Sequence, residues 1–273
     1  LGRNLSDGVK GASINAVGSS MPELFTTFVF LFIFSDTSGF AGGIGTTAGS
    51  AVYNTMIIPA LSILAAIKLF QIRAVQVSKK VILRDGLMLI AVEFILIVTI
   101  GATLEWWHGL MFMLLYFGYA GYMFTTMDRS GNGVAPIADD GGSGDDGAPP
   151  AAGGAPLAAL LRLDLESLVI GQRAINTANA WGLLTLSTAI IAVACYILVY
   201  GCESFGHALG IEGYFVAVIL AAAASSVPDT ILSVKDARKG NYDDAVSNAL
   251  GSNIFDICFA LGLPLFLYTL IYG

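Results

Sequence analysis

Two short stretches carry residue types able to do chemistry. They are Ser19-Ser20-Met21-Pro22-Glu23 and Ser225-Ser226-Val227-Pro228-Asp229, each a hydroxyl pair followed by a proline and a carboxylate. Each has a second polar cluster downstream: Gly49-Ser50 with Asn54, and Gly251-Ser252 with Asp256, where the last side chain follows the serine by four residues. Carboxylates, hydroxyls and backbone carbonyls are hard oxygen donors, suited to Ca²⁺ at about 2.3–2.6 Å with about 6–8 ligands, and to Na⁺ by the same logic. Proline has no N–H and disrupts the preceding helical turn, so Pro22 and Pro228 free carbonyl oxygens near the two serine pairs. Both stretches lie in strongly apolar surroundings. A carboxylate at the centre of a bilayer costs on the order of 3 kcal/mol or more, so Glu23, Asp229 and Asp256 must face one another, water or a cation. No lysine or arginine stands at comparable depth, and the simplest countercharge is a cation held by these oxygens.

The elements that must position these residues are membrane helices. The chain is 56% hydrophobic and only 12% charged, with a mean hydropathy of +0.76, far from the soluble average of about 25% charged. Seven apolar stretches reach the roughly 20 residues that a spanning helix needs: Gly11–Phe34, Ala41–Phe70, Val81–Gly101, Trp107–Met127, Thr177–Tyr200, Tyr214–Lys235 and Val246–Tyr272. They are apolar all round, whereas the strands of a transmembrane barrel alternate apolar and polar over about ten residues, so the expected fold is all-α. Residues 1–127 form the first membrane half and 177–273 the second. Between them, 128–176 is rich in Gly, Ala, Pro and Asp, too poor in large apolar residues to fold alone, and is expected to be a flexible tether. Its end, Leu157–Gln172, is apolar with interspersed charge and is expected to lie in the interface as an amphipathic helix. The linker aspartates lack the spacing of a calcium-binding EF-hand loop.

Basic residues accumulate on the cytoplasmic side of membrane helices. Threading seven spans places all 13 Lys and Arg on one side, with the N-terminus, the Gln71–Lys80 loop, the linker and the Asp236–Asp244 loop. That side is expected to be cytosolic, where the sequon Asn4-Leu5-Ser6 would escape glycosylation. On this threading the Glu23 span leaves the cytosol and the Asp229 span returns to it. The two copies are therefore antiparallel, the signature of an inverted-topology repeat. Gly18, Gly49 and Gly251 are expected to let helices approach closely enough for both halves to share one site.

Other candidates read as less informative. Glu93 lies within a span but has no repeat counterpart and no neighbouring proline or serine; it is expected to be a packing or water-cavity residue. His108 and His207 stand near loop ends and read as interfacial. Cys195, Cys202 and Cys258 have no metal-ligand or redox spacing and read as buried thiols. The chain begins at Leu1 with no cleavable leader pattern, as a fragment or a mature form would. No nucleophile and base pair, phosphate loop or cofactor fingerprint is present, so an enzyme, a cofactor and a nucleic-acid partner are not expected.

The motifs resemble the paired alpha-repeats of the cation/calcium exchanger superfamily, and most nearly the potassium-dependent sodium/calcium exchanger branch. The resemblance covers about Gly11–Ala65 and Ala217–Pro264. It implies that Glu23 and Asp229 bind Ca²⁺, that Ser19, Ser20, Ser225 and Ser226 contribute to Ca²⁺ and Na⁺ sites, and that Ser50, Asn54, Ser252 and Asp256 complete the set. An acid at Asp256, paired with aspartate at 229, resembles the K⁺-dependent members. Two departures stand out. Ala224-Ser225 replaces the glycine and threonine usual before the second motif's last serine, and the family's ten or eleven spans include one before the first repeat and two after the second, which this chain does not show. The implied function is Na⁺/Ca²⁺ antiport by alternating access. A proton/cation exchanger, or an exchanger-derived subunit of a larger membrane assembly that no longer transports, remain as alternatives.

Overall fold

Proline and serine set where the helices break. Pro22 and Pro228 occupy the first turn of a new helix, where a missing N–H costs nothing, and the preceding Ser20 and Ser226 leave helical geometry at φ −89°, ψ 12° and φ −81°, ψ 3°. The computed structural model describes residues 9–34, 37–100, 104–126 and 177–272, and every regular element among them is helical. Helix α1 runs over 11–19 and α2 over Met21–Phe32. They are followed by α3 (37–70), α4 (Lys79–Ile100), α5 (Trp106–Thr126) and α6 (Thr177–Leu209). After the short turn at Gly210, α7 (Gly213–Ser225) meets α8 (Val227–Arg238) at a bend of 41°, and α9 spans Tyr242–Tyr272.

The repeat predicted from the motifs is visible in the local backbone. The first copy is α1, α2 and α3, and the second is α7, α8 and α9. Each copy contains two π-helical turns at matching places: Gly11–Asn15 and Ala217–Ala221 ahead of the serine pairs, and Tyr53–Ile57 and Asp256–Leu261 at or beside Asn54 and Asp256. Single π turns inside α-helices recur at functional sites, because the widened turn redirects side chains.

By length and hydropathy, Ala41–Phe70, Trp181–Leu209 and Tyr242–Tyr272, among the described residues, each suffice to cross a membrane, and the bent pair α7–α8 passes the same test when counted as one broken span. The other expected spans are helical but fall short of that test for local reasons. The break at Ser20 leaves α2 only 12 residues. Helix α4 carries Lys79, Lys80, Arg84, Asp85 and Glu93, and α5 is rich in Tyr, Trp and Gly.

Chain contacts define two units, Leu1–Val134 with Cys195–Gly273, and Ala135–Ala194. Within the first, an apolar core of Phe112, Tyr116, Met123, Ile254, Phe255 and Ile257 joins α5 to α9, with Leu24 and Val92 added from α2 and α4. The linker, its expected interfacial helix Leu157–Gln172 and the sequon Asn4-Leu5-Ser6 lie outside the described residues.

Candidate cation site

The ten residues singled out in the sequence are all buried: Glu23, Ser20, Ser50, Asn54, Ser226, Asp229, Ser252 and Asp256 have no exposure, and Ser19 and Ser225 only 2%. Their positions follow from the broken helices. Each proline starts its helix, so the carboxylate one residue later sits in the first turn, beside the serines that end the preceding helix. Pro22 and Pro228 cannot donate to the carbonyls of Gly18 and Ala224, which the break leaves without their helical partner.

Hydrogen bonds tie the two copies together. The Ser226 hydroxyl of the second copy faces Glu23 Oε1 of the first at 3.4 Å and lies 3.1 Å from the Ser50 hydroxyl. Ser50 donates to Asp256 Oδ2 at 2.9 Å, and Asn54 Nδ2 reaches both Ser50 Oγ at 3.2 Å and Asp229 Oδ2 at 3.5 Å. Ser252 donates to Asp229 Oδ1 at 2.6 Å, and Ser19 also lies against Asp229. Ser225 faces Glu23, and Ser20 lies close to Asp256 without bonding to it. The hydroxyls of Ser19 and Ser225 return to their own helices, to Asn15 O at 2.7 Å and Ala222 O at 3.2 Å. Glu23, Ser20, Ser50, Asn54, Ser226, Asp229, Ser252 and Asp256 thus form one continuous polar cluster.

The electrostatics of the cluster are unbalanced. The ion pairs among the described residues are Arg84–Asp85 and His207–Glu203, and neither involves the three acids. Glu23 Oε2, Asp256 Oδ1, Asn54 Oδ1 and Ser20 Oγ are buried without a hydrogen-bond partner. Buried polar atoms are nearly always paired, so four orphaned oxygens in one place indicate a site for something that accepts oxygen lone pairs. The acids are spread among hydroxyls and amides: no three Asp, Glu, His or Cys groups among the described residues converge into a tight metal centre. This donor set suits a hard cation that must enter and leave.

Glycines bring the copies together, with one correction. A methyl group on Gly49 would lie 2.0 Å from Val218 O and 2.6 Å from Ala222 Cβ in α7, and one on Gly251 would lie 2.6 Å from Ala12 Cα in α1. Each copy thus presses its second-half glycine onto the other's broken helix. Gly18, expected to do the same, has open space where a Cβ would be. Its flank of α1 faces outward, and position within the motif alone could not show that.

Several residues went unremarked in the sequence. Asn248 donates to Asp229 O at 3.3 Å and Ser233 Oγ at 2.9 Å, while Asn253 donates to Ala51 O at 3.2 Å. The oxygens of both amides are buried and unpartnered. A repeat-based signal was available, since Asn248 stands four residues before Ser252 and Asn253 immediately after it. Asp85 is fully buried yet belongs to a separate network, taking Tyr119 Oη at 2.7 Å, Arg84 Nε at 2.5 Å and Ser247 Oγ. Glu93 is half-buried on α4. His108, expected at an interface, is buried beside Trp107 and accepts the Glu105 N–H at 3.0 Å, which closes the first turn of α5. The three cysteines are free and buried, as expected.

Comparison with known proteins agrees with this geometry. A family model described as sodium/calcium exchanger protein matches residues 1–125 and 179–273. Sodium/potassium/calcium exchanger 4 of Mus musculus is 26% identical over 98% of this chain and 66% of its own length. Sodium/potassium/calcium exchanger 2 of Homo sapiens is 46% identical over 30% of this chain and 12% of its own. The chain thus spans a little under two thirds of the first of these relatives. Among solved structures, the sodium-calcium exchanger NCX_Mj aligns with a TM-score of 0.57 at 21% identity, covering 96% of this chain and 71% of that one. The H⁺/Ca²⁺ exchanger CAX aligns at 0.63 with 12% identity, covering 96% and 64%. At such identities the structural matches speak for the fold, an all-α membrane exchanger fold. With both motif-bearing repeats inside the matched residues, the chain belongs to the sodium/calcium exchanger protein family.

Proposed function

We propose that this chain exchanges Na⁺ for Ca²⁺ across a membrane by alternating access, the two ions competing for the oxygen cluster built around Glu23 and Asp229. One observation carries the reading: three wholly buried carboxylates are joined through hydroxyls from both repeats, two of them, Glu23 and Asp256, keep an orphaned oxygen, and none is ion-paired to a basic residue among the described residues. Competition follows from charge, because the cluster is neutralised by one Ca²⁺ or by several Na⁺, and occupancy by one displaces the other. The discontinuous helices α1–α2 and α7–α8 are the elements that hold the ion, and one repeat or bundle rocks against the other around that site, as in inverted-repeat transporters. Serine hydroxyls and the carbonyls freed by Pro22 and Pro228 replace the water shed by an entering ion, and the carboxylates supply the charge that offsets dehydration.

K⁺ is proposed as a third cargo ion. The cluster carries three acids where two neutralise Ca²⁺, and the sodium/potassium/calcium exchangers are relatives by sequence. The linker and the basic loops are placed on the cytosolic side by their charge. The lipid bilayer and inorganic cations are the partners this reading requires. The test is Ca²⁺ uptake into proteoliposomes under imposed Na⁺, K⁺ and pH gradients. Uptake driven by an outward Na⁺ gradient is expected. Uptake that follows the pH gradient and ignores Na⁺ would make the protein a proton exchanger, and no flux from correctly inserted protein would leave a non-transporting subunit.

A further inference from the structure

The two copies differ in how each holds its motif carboxylate. Asp229 lies in the first turn of α8, and α9 runs back along that helix, so Ser252 and Asn248, one turn apart on α9, face Asp229 and Ser233, one turn apart on α8. Ser252 donates to Asp229 Oδ1 at 2.6 Å, and Asn248 Nδ2 donates to the backbone Asp229 O at 3.3 Å and to Ser233 Oγ at 2.9 Å. Because a backbone carbonyl only accepts, the amide must turn its NH₂ toward α8, and Asn248 Oδ1 is left buried without a partner. All four residues are wholly buried. Asp229 is therefore tied to the α9 of its own copy at two points, its side chain and its backbone.

The corresponding residues of the first copy are Glu23 and Thr27 on α2 with Thr46 and Ser50 on α3, and they are bonded differently. Thr27 Oγ1 turns back to Glu23 O at 2.9 Å and Thr46 Oγ1 to Gly42 O at 3.0 Å, each within its own helix. Ser50 reaches Asp256 and Ser226 of the other copy. Helix α2 meets α3 through carbon instead: a methyl on Gly43 would lie 3.4 Å from Thr27 Cγ2, and one on Gly42 would lie 2.5 Å from the Phe30 ring. The Glu23 carboxylate faces Ser225 and Ser226 of the second copy, and its Oε2 has no hydrogen-bond partner.

We propose that Asn248 is a positioning residue for Asp229. By clamping the start of α8 to α9 it holds that carboxylate in one place as ions enter and leave, and Glu23, with no hydrogen bond to α3 among the described residues, is the ligand that shifts. The inference rests on the exchange reading above. An ion reaching the cluster finds one carboxylate already placed and one that closes on it. Placement matters because ordering a loose ligand at the moment of binding costs affinity. Asn248→Thr gives the second copy the first copy's residue. Its hydroxyl then returns to its own helix as that of Thr46 does, and the Ser233 hydroxyl is free to turn onto Asp229 O as Thr27 does onto Glu23 O, so the tie is lost while the buried oxygens keep a donor and the fold survives.

The experiment compares wild type, Asn248→Thr, Asn248→Ser, Ser233→Ala and Thr46→Val by two readouts. One is the half-saturating Ca²⁺ and maximal rate of Na⁺-driven flux in proteoliposomes, and the other is the Ca²⁺ concentration at the midpoint of the Ca²⁺-induced rise in unfolding temperature in detergent. Asn248→Thr and Asn248→Ser are expected to raise half-saturating Ca²⁺ by up to about tenfold in both readouts, the scale of one net hydrogen bond, with maximal rate retained. Ser233→Ala, which keeps the bond to Asp229 O, is expected to fall between them and wild type, and Thr46→Val to match wild type. A lowered unfolding temperature or maximal rate with half-saturating Ca²⁺ unchanged would overturn the proposal and leave Asn248 as a packing brace. An equal shift from Thr46→Val would overturn the difference between the copies. A wild type without flux would defeat the exchange reading alone, and the thermal midpoints would still decide whether Asn248 positions Asp229.

Discussion

Asp256→Asn is the substitution that most sharply divides roles within the cluster. Asp256 stands where the first copy has the neutral Asn54, accepts the Ser50 hydroxyl at 2.9 Å through Oδ2 and leaves Oδ1 buried without a partner. Asparagine keeps the volume and one oxygen, which retains the Ser50 bond, and puts an amide nitrogen where Oδ1 was. What is lost is one unit of charge. For a monovalent ion about 4 Å away at an effective dielectric of about 20, that charge is worth about 4 kcal/mol, or roughly a thousandfold in affinity. A direct Ca²⁺ ligand would lose about twice as much, enough to end exchange altogether. Because the two charges of Glu23 and Asp229 suffice to balance a divalent ion, the expected outcome is Na⁺-driven Ca²⁺ exchange that no longer depends on K⁺. The assay is Ca²⁺ flux into proteoliposomes against K⁺ concentration at fixed Na⁺, for wild type and variant. A wild type indifferent to K⁺ would give Asp256 another role, and a dead but folded variant would assign it to the common Ca²⁺ and Na⁺ site.

Glu23→Gln and Asp229→Asn are each expected to abolish Ca²⁺ flux while the protein remains folded and inserted, since an amide cannot offset the dehydration of a divalent ion; near-normal flux from either would refute the ligand assignment. Gly49→Ala is expected to destabilise by a few kcal/mol or to prevent assembly, because its methyl meets backbone at 2.0 Å, and Gly251→Ala to follow it. Gly18→Ala, in open space, is expected to be tolerated, and thermal unfolding in detergent compares the three. Tyr119→Phe removes one donor from buried Asp85 and is expected to lower stability by about 1–3 kcal/mol with transport intact, checked by thermal unfolding beside a flux assay.

Much of the site was legible in the sequence because a bilayer penalises polar groups so heavily. Intramembrane acids, serines beside proline, and a motif that recurs in reverse orientation point to Glu23, Ser20, Ser50, Asn54, Ser226, Asp229, Ser252 and Asp256, which the fold joins in one polar cluster, and also to Ser19 and Ser225, whose hydroxyls return to their own helices. The helix breaks at Ser20 and Ser226 followed from Pro22 and Pro228, whose missing N–H acts locally whatever the surroundings. Apolar length placed most helix ends to within about four residues, but α6 runs on past the expected end at Tyr200 to Leu209. Partner choice was decided only by tertiary packing. Nothing local distinguishes Ser50, which reaches across to Asp256 and Ser226 of the other copy, from Ser252, which stays with Asp229 of its own. Gly18, Gly49 and Gly251 look alike in sequence, yet only the last two meet a neighbouring backbone, because close approach depends on which helix flank faces inward. For the same reason His108, placed near a loop end by hydropathy, proved buried. Asn248 gained its role from lying opposite Ser233, a distance that chain order does not encode. Composition and periodicity report how each residue stands toward water and lipid, whereas hydrogen bonds between repeats depend on the register in which helices cross, and that register is set by the whole packed bundle.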